Sequence, residues 1–140
     1  MRNINSDCIF CRIIAKEVPA LIVYEDDNTI AFLDIKPISK GHTLVVPKEH
    51  STNLTDISEK QLCNAIKVIK RLSISIMKAV GADGFNVGMN NFKAAGQLVN
   101  HTHFHIIPRF YSDNLKSWEG KEVPNEIMEN IAEKIRNLLN

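Results

Sequence analysis

The feature that most restricts the fold is one long amphipathic helix predicted for residues 58–80. Apolar side chains recur there at steps of three and four residues, which places them on one side of a helix. The stripe consists of Leu62, Ala65, Ile66, Ile69, Leu72, Ile76 and Val80. Ser58, with Gln61 three residues later, forms a capping pattern, and Gly81 suits the position after the last turn. Such a helix needs a second layer that covers its apolar side.

Short β-rich runs supply that second layer. Residues 21–25, 29–34, 43–46, 85–89 and 101–108 are predicted strands, separated by turn-forming residues. A short helix or turn is predicted before them at residues 8–15, and an amphipathic helix after them at residues 125–139. Strands with hairpin-length gaps around one long helix indicate an α+β fold with an antiparallel five-stranded sheet. A chain of 140 residues is expected to form a single domain over residues 1–140.

Charge and hydropathy exclude several classes of partner. The chain has 17 Lys and Arg against 16 Asp and Glu, so its net charge of +1 favours neither nucleic acid nor an anionic membrane. No segment approaches the roughly 20 apolar residues that span a bilayer, and residues 1–7 lack the apolar run of a signal peptide. We therefore expect a cytoplasmic protein. Three cysteines form no closed disulfide set, and Cys63 is predicted to be a small core residue of the long helix.

Three histidines alternate in the last predicted strand, at His101, His103 and His105. Side chains at alternate positions of a strand share one face, so the three imidazoles are expected to project together. Three imidazoles serve packing poorly because each buried ring needs polar partners. The pattern therefore predicts a functional site. Two kinds of chemistry remain open: a metal site, including a zinc-dependent hydrolase with all three rings as ligands, and nucleophilic catalysis by one imidazole.

The residues around the histidines resemble the histidine-triad (HIT) family, in its bacterial nucleotide-binding (Hint-like) branch. That family's signature is three histidines separated by single, usually apolar, residues, with Gly-Gln a few positions upstream; here these are Gly96 and Gln97. Further matching segments are Cys8-Ile9-Phe10-Cys11-Arg12-Ile13-Ile14, Ala31-Phe32-Leu33-Asp34-Ile35, and residues 41–50 from Gly41-His42 to Glu49-His50, together with Asn90. The resemblance covers most of the chain up to Arg109.

This resemblance implies a nucleotidyl hydrolase or transferase that acts on purine nucleotide phosphoramidates or related conjugates of AMP or GMP. His103 would attack the α-phosphorus and form a nucleotidyl-histidine intermediate, with His101 and His105 completing the catalytic triad. His105 and Gln97 would contact phosphate oxygens, and no cofactor would be required for catalysis. The remaining substrate-binding residues implied by the resemblance are Asn90 at the phosphate or leaving group, Asp34 at the ribose hydroxyls, Val99 in the preceding loop, and Ile9, Phe10, Ile13, Val18, Phe32, Leu33 and Ile35 around the base.

The resemblance also implies a structural zinc ion and a homodimer. Cys8 and Cys11 have the spacing of a zinc half-site, which is a weak signal alone. In this branch of the family such a pair is joined by the histidines that match His50 and His101, which gives a Cys₂His₂ set. The dimer would form through the helix at residues 58–80 and the strand at residues 85–89.

Two positions leave the function open. Leu98 stands where much of this branch has a serine that can hydrogen-bond the leaving group, and leucine cannot donate a hydrogen bond. An alternative hypothesis is therefore a nucleotide-binding module with weak or lost catalysis. His42 fits either a supporting partner of the triad or an ordinary loop histidine.

Overall fold

Five strands and three α-helices follow the predicted order in a computed structural model that describes residues 5–139. They are α1 (Ile9–Ile14), β1 (Ile22–Glu25), β2 (Thr29–Leu33), β3 (Thr43–Pro47), α2 (Glu59–Val80), β4 (Gly84–Gly88), β5 (Phe104–Arg109) and α3 (Asn125–Leu139), with a short 3₁₀ turn at Lys93–Ala95 between β4 and β5. Residues 1–4 and residue 140 lie outside the described residues. The prediction that residues 1–7 lack a signal peptide therefore falls mostly outside them. No helix within residues 5–139 has the length and apolarity needed to cross a membrane.

The strands form one antiparallel sheet in the order β1-β2-β3-β5-β4, which confirms the predicted fold class. Strand β3 is central, and β5 lies between it and the edge strand β4. Every strand lies within one residue of its predicted bounds except the beginning of β5. The predicted strand started at residue 101, whereas β5 begins at Phe104.

The early part of the predicted fifth strand leaves the ladder for a physical reason. Pairing between β3 and β5 stops at Val45 opposite Phe104. Beyond that pair, the imidazole Nε2 of His101 lies 2.7 Å from the Pro47 carbonyl oxygen at the end of β3. Proline also has no N–H to donate to a ladder. The segment with the first two triad histidines is thus held by side-chain and loop hydrogen bonds, including Thr102 N–H to the Ser51 carbonyl at 2.8 Å.

Helix α2 covers one face of the sheet and begins and ends as predicted. The Ser58 hydroxyl accepts a hydrogen bond from Gln61 N–H at 3.2 Å, and Gly81 ends the helix with φ +66°. The buried side of α2 is formed by Ala65, Val68, Ile69 and Ser73. The prediction that Cys63 is a core residue was wrong, because at 100° per residue it lies on the far side of the helix from Ala65 and is exposed. Ile66, also in the predicted stripe, is exposed as well.

Two apolar clusters on opposite faces of the sheet decide where the histidines point. Ala31, Val45 and Phe104 pack beneath α2, whereas their strand neighbours Phe32 and Leu44 pack against α1 on the other face. Side chains alternate between faces along a strand. Since Phe104 faces α2, His103 and His105 face the α1 side, and the site lies on that face.

Candidate functional site

The three triad histidines divide into a pair and a single ring. His103 and His105 are neighbours, with ring centroids 5.1 Å apart. The His101 ring instead packs against His50, at 4.8 Å between centroids. His101 and His103 are buried and His105 is half-buried. The three imidazoles therefore serve two adjoining sites rather than one shared cluster.

Hydrogen bonds assign the tautomer of His103. Its Nδ1 lies 2.7 Å from the His101 carbonyl oxygen, and a carbonyl can only accept, so Nδ1 carries the proton and donates it. In a neutral imidazole the lone pair is then on Nε2. The backbone of the preceding residues thereby fixes which nitrogen of His103 carries the lone pair.

A second chain of hydrogen bonds gives His105 the opposite role. Ile38 N–H donates to His42 Nδ1 at 3.0 Å, so the proton of His42 is on Nε2. That Nε2–H donates to His105 Nδ1 at 2.9 Å, which leaves the proton of His105 on its own Nε2. Among the described residues no acceptor contacts His105 Nε2, although the atom is buried. The site thus presents one lone pair, on His103, beside one unpartnered N–H donor, on His105.

Burial keeps these rings uncharged near neutral pH. Burial, together with the neighbouring His103 and His42, lowers the pKa of His105 to about 4. Burial also lowers the pKa of His103, against the opposing effects of the His101 carbonyl and Asp34. The pKa of His42 is lowered by burial too, although Asp34 lies 3.8 Å from its Nε2 and opposes the shift. An uncharged His103 has the lone pair that nucleophilic attack requires.

The residues predicted to surround the nucleoside occupy the α1 side of the same face. Phe10 packs edge-to-face on His103 at 5.1 Å and on Phe32 at 5.6 Å. Ile13 is buried in the same cluster, and Val18 and Val99 pack against it. Leu33 and Asp34 are half-buried at the end of β2, while Ile9 is exposed at the surface of α1 and Ile35 is 90% exposed.

Gln97 lies buried beneath the loop before the triad, with both ends of its amide in hydrogen bonds. Its Nε2 donates to the carbonyls of Thr52 at 2.6 Å and Val99 at 3.0 Å, and its Oε1 accepts from Phe92 N–H at 2.8 Å and from Asn53 Nδ2 at 3.4 Å. These partners hold the loop in place and leave the amide no group free for a phosphate. The predicted phosphate contact of Gln97 thus stays a prediction, and its arrangement here favours a role in shaping the loop.

The other two loop positions lie at the surface. Asn90 is half-buried, and its Nδ2 donates to the Gly96 carbonyl at 3.4 Å. Leu98 is 93% exposed. A cavity of about 520 Å³ opens beside His105 and Asn90, between β4 and the segment that carries Trp118.

Cys8, Cys11, His50 and His101 form a second cluster next to the pair, their potential ligand atoms all within 4.8 Å of one another. The His101 ring donates from Nε2 to the Pro47 carbonyl, so its lone pair is on Nδ1. That atom lies 3.3 Å from Cys8 Sγ, 3.5 Å from Cys11 Sγ and 3.1 Å from His50 Nδ1. Tetrahedral zinc with ordinary bond lengths separates two nitrogens by about 3.3 Å and a nitrogen from a sulfur by about 3.5 Å. The donor set therefore fits a metal ion.

The same tautomers disfavour a single metal bound by all three triad rings. His101 directs its only lone pair toward the cysteines, away from His103, whose free lone pair is on Nε2. Within residues 5–139, Asp34, His42 and His105 also lie close enough to hold an ion. His42, however, already uses Nδ1 to accept from Ile38 N–H, so binding a metal through Nε2 would require an imidazolate anion or the loss of that hydrogen bond.

The HIT domain family model matches residues 15–112. The chain belongs to the HIT family. This match confirms the resemblance predicted from the motifs, and the relatives described below support its Hint-like branch.

Three HIT relatives indicate how close the likeness is. An uncharacterised HIT-like protein of Methanocaldococcus jannaschii is 47% identical over 129 residues, which are 92% of this chain and 98% of that protein. An adenylylsulfatase of Arabidopsis thaliana is 43% identical over 118 residues, 84% of this chain and 60% of that protein. An adenosine 5'-monophosphoramidase of Schizosaccharomyces pombe is 41% identical over 102 residues, 73% of this chain and 74% of that protein.

Solved structures agree with the HIT fold. A protein of Streptococcus mutans superposes with a TM-score of 0.94 at 39% identity, covering 100% of this chain and 90% of that one. A zinc-bound histidine triad family protein of Mycobacterium smegmatis superposes with a TM-score of 0.75 at 38% identity, covering 82% of this chain and 84% of that one.

Within this HIT site, sequence reasoning left two contributors unassigned. His42 is the donor to His105, and its burial at 2% exposure distinguishes it from an ordinary loop histidine. Asn53, fully buried beside Gln97, belongs to the support of the loop. The sequence left the role of His42 open and did not single out Asn53, because the site partners of both lie more than 40 positions away in the chain.

Proposed function

We propose that this chain is a nucleotidyl hydrolase or transferase that cleaves purine nucleoside phosphoramidates, or related conjugates of AMP or GMP, through a nucleotidyl-histidine intermediate on His103. The observation that carries the proposal is the pair of opposite tautomers. A lone pair on His103 Nε2 stands beside an N–H on His105 Nε2 for which residues 5–139 provide no acceptor. One group suits attack on phosphorus, and the other suits the negative charge that grows on the phosphoryl oxygens.

In the first step the lone pair of His103 Nε2 forms a bond to the α-phosphorus. The bond from phosphorus to the leaving nitrogen breaks, its electron pair stays on that nitrogen, and the amine takes a proton from solvent. His105 donates its Nε2–H to a non-bridging oxygen in the pentavalent transition state. The His101 carbonyl accepts from Nδ1–H of His103 throughout, which stabilises the positive charge that the ring acquires.

In the second step a water oxygen attacks the phosphorus and the bond to His103 Nε2 breaks. The ring regains its lone pair, and the attacking water releases a proton to solvent that balances the one taken up by the amine, so the products are a nucleoside monophosphate and an amine. Asp34 would accept hydrogen bonds from the ribose hydroxyls, and the apolar residues around Phe10 would contact the base. The activities named for the Arabidopsis and fission yeast relatives support an adenylyl group as the part that is transferred.

The test is hydrolysis of a fluorogenic adenosine phosphoramidate by the wild type, His103→Ala and the matched control Asn100→Ala. Asn100 is exposed and stands one position before the triad. We expect kcat to fall at least about 1,000-fold in His103→Ala, because the nucleophile is lost, and to stay within twofold in Asn100→Ala. Full activity of His103→Ala would end the proposal. Guanosine and cytidine conjugates assayed in parallel test the preference for a purine.

Exposed Leu98 favours one competing function, a module that binds nucleotides without turning them over. Such a module would bind AMP with equal affinity in the wild type and in Leu98→Ser, and only the serine variant would turn over the fluorogenic conjugate. Turnover by the wild type clearly above His103→Ala excludes it.

We further propose that the Cys8, Cys11, His50 and His101 cluster binds structural zinc. Two thiolates and two imidazoles are the donors that zinc prefers, and the separations of their atoms fit a tetrahedron. Burial, with Cys8 beside it, raises the pKa of the Cys11 thiol, a cost that a bound cation removes. One zinc per chain by elemental analysis, lost in Cys11→Ser, is the expected result. Because the zinc is structural, chelation should leave turnover well above the level of His103→Ala. In a zinc-dependent hydrolase, chelation would abolish turnover.

A homodimer is the last part of the proposal. Strand β4 is a sheet edge with Phe85 and Val87 exposed, and Ile66 is exposed on α2 beside the buried Ile69. A two-fold contact through this helix and edge would cover those side chains and remove the free edge. Light scattering at micromolar concentration should give twice the chain mass, and a monomer mass would contradict the proposal.

A further inference from the structure

The Phe10 side chain joins the metal-binding cluster to the nucleophile. Its ring lies edge-to-face on His103, with centroids 5.1 Å apart and planes at 80°, and it also contacts the His101 ring at 5.9 Å. Phe10 is 6% exposed and stands between Cys8 and Cys11 in the sequence. The same short helix thus carries two potential metal ligands and the ring that packs on His103.

Helix α1 is too short to hold Phe10 in place by itself. It has six residues, whereas isolated helices below about 12 residues are marginal in water. Its first turn is organised by Cys8, whose Sγ accepts a hydrogen bond from Cys11 N–H at 3.4 Å. In turn, Cys8 Sγ lies 3.3 Å from His101 Nδ1, and Cys11 Sγ lies 3.4 Å from His50 Nδ1 and 3.5 Å from His101 Nδ1. The position of α1, and with it the position of Phe10, therefore depends on the cluster as well as on the apolar packing of Ile13 and Ile14.

His101 provides a second connection between the cluster and the nucleophile. Its ring belongs to the cluster, and its backbone carbonyl accepts from His103 Nδ1–H at 2.7 Å. Phe10 contacts a face or edge of the His103 ring, whereas the carbonyl fixes one of its nitrogens. The ring is anchored by the covalent bond at Cγ and by the hydrogen bond at Nδ1, so it can still tilt about the line through these atoms, and a packed neighbour restricts this tilt.

We propose that Phe10 is a positioning residue for His103 and that metal occupancy of the cluster sets the orientation of the nucleophile through it. This inference rests on the proposed function and on the proposed zinc. It assigns Phe10 a role beyond that of a wall of the base pocket. The two roles differ in their kinetics, because a base wall contributes to substrate binding and so to KM, whereas a positioning residue acts on kcat.

The experiment compares zinc-loaded and chelated full-length protein, each as wild type, Phe10→Leu and the control Ile14→Leu. Ile14 is 7% exposed in the same apolar cluster and has no ring contact with the triad. Three quantities are measured: kcat and KM on the adenosine phosphoramidate, the His103 imidazole resonances in long-range ¹H–¹⁵N spectra, and the melting temperature. The imidazole spectra report the position of the Phe10 ring through its ring current and need no turnover.

In the wild type, chelation should shift the His103 resonances and lower kcat about three- to tenfold with KM within twofold, the factor that an aromatic contact of ordinary strength supplies. Phe10→Leu with zinc bound should show the same fall, and chelation should then lower kcat by less than twofold more, because both changes act on one interaction. Ile14→Leu should respond to chelation as the wild type does.

Three results would overturn the inference. The first is a fall of kcat in chelated Phe10→Leu that equals the product of the separate falls caused by the substitution and by chelation. The second is a rise of KM in Phe10→Leu at unchanged kcat. The third is a set of His103 resonances that does not move on chelation. The proposed function fails separately, by full activity in His103→Ala or by no turnover in the wild type, and the spectra still test the coupling in that case. A Phe10→Leu protein that melts far below Ile14→Leu is replaced by Phe10→Met, with the same expectations.

Discussion

Replacing His42 by leucine removes the donor that sets the tautomer of His105 and adds no polar group. In the wild type His42 Nε2–H donates to His105 Nδ1 at 2.9 Å, so His105 keeps its proton on Nε2, where the proposed mechanism needs a donor. Without that partner His105 can place its proton on Nδ1 and present a lone pair to the phosphoryl oxygen. Leucine is close to histidine in volume, so the packing around the site changes little.

The size of the effect follows from two limits. The net contribution of one such hydrogen bond, about 0.5–1.5 kcal/mol, corresponds to about two- to thirteenfold in rate. Complete loss of an oxyanion donor costs about 100- to 1,000-fold. The substitution biases the donor without deleting it, so we expect kcat to fall about tenfold with KM within twofold. Ile38 N–H also loses its acceptor, but Ile38 is 55% exposed and water can replace that partner, so the fold should lose no more than about 1 kcal/mol.

The assay is steady-state hydrolysis of the adenosine phosphoramidate by the wild type, His42→Leu, His42→Gln and His105→Ala. Glutamine can donate from its amide and should recover part of the loss, while His105→Ala should lose more than His42→Leu. A His42→Leu enzyme whose kcat stays within twofold of the wild type, or whose KM alone rises, would refute the tautomer argument.

Three further predictions concern stability, leaving-group chemistry and pH. Gly41→Ala should lower the free energy of unfolding by about 1–3 kcal/mol in urea titrations, because Gly41 has φ +89° and an added Cβ would lie 3.0 Å from Val80 Cγ1; Gly120→Ala, which meets no atom within 4 Å, is the control. Leu98→Ser should leave the melting temperature unchanged, because the Leu98 side chain is 93% exposed. The same substitution should raise kcat up to about tenfold on substrates with amine leaving groups, because serine can hydrogen-bond the leaving group. An unchanged kcat would contradict that role. Burial lowers the pKa of His105 to about 4, below its unfolded value near 6.5, so the unfolded state binds more protons between these pH values and stability falls as the pH drops from 6.5 to 4. His105 should contribute at most about 3 kcal/mol to this loss, so the loss should be smaller in His105→Gln; equal losses would contradict it.

Periodicity in the sequence was sufficient for the elements of the fold. Helix α2, with its Ser58 cap and Gly81 end, lies where the apolar spacing and the capping pattern predicted it. The predictions failed where tertiary partners compete with local pattern. The strand around the triad starts at Phe104 because the Pro47 carbonyl accepts from the His101 ring, and alternation of residues cannot reveal that competition.

For the site, the sequence indicated which residues matter more reliably than what each one contacts. The alternating histidines predicted three imidazoles on one face, whereas His101 is directed to the cysteines by the hydrogen bond on its other nitrogen. Gln97 lies by the loop before the triad as the motif suggests, but its amide is consumed by backbone partners such as the Thr52 carbonyl. Tautomers and hydrogen-bond partners depend on contacts between distant parts of the chain, and a single sequence does not contain them.

The proposed nucleotidyl-histidine intermediate is tested most directly by rapid acid-free quenching of the wild type and His103→Ala with adenosine phosphoramidate, followed by mass spectrometry of the intact chain and its peptides. We expect one adenylyl group per active site on the peptide that contains His103, formed and lost at rates consistent with kcat, and none in His103→Ala. Turnover by the wild type with no adduct at any quench time, or an adduct on a different residue, would contradict it.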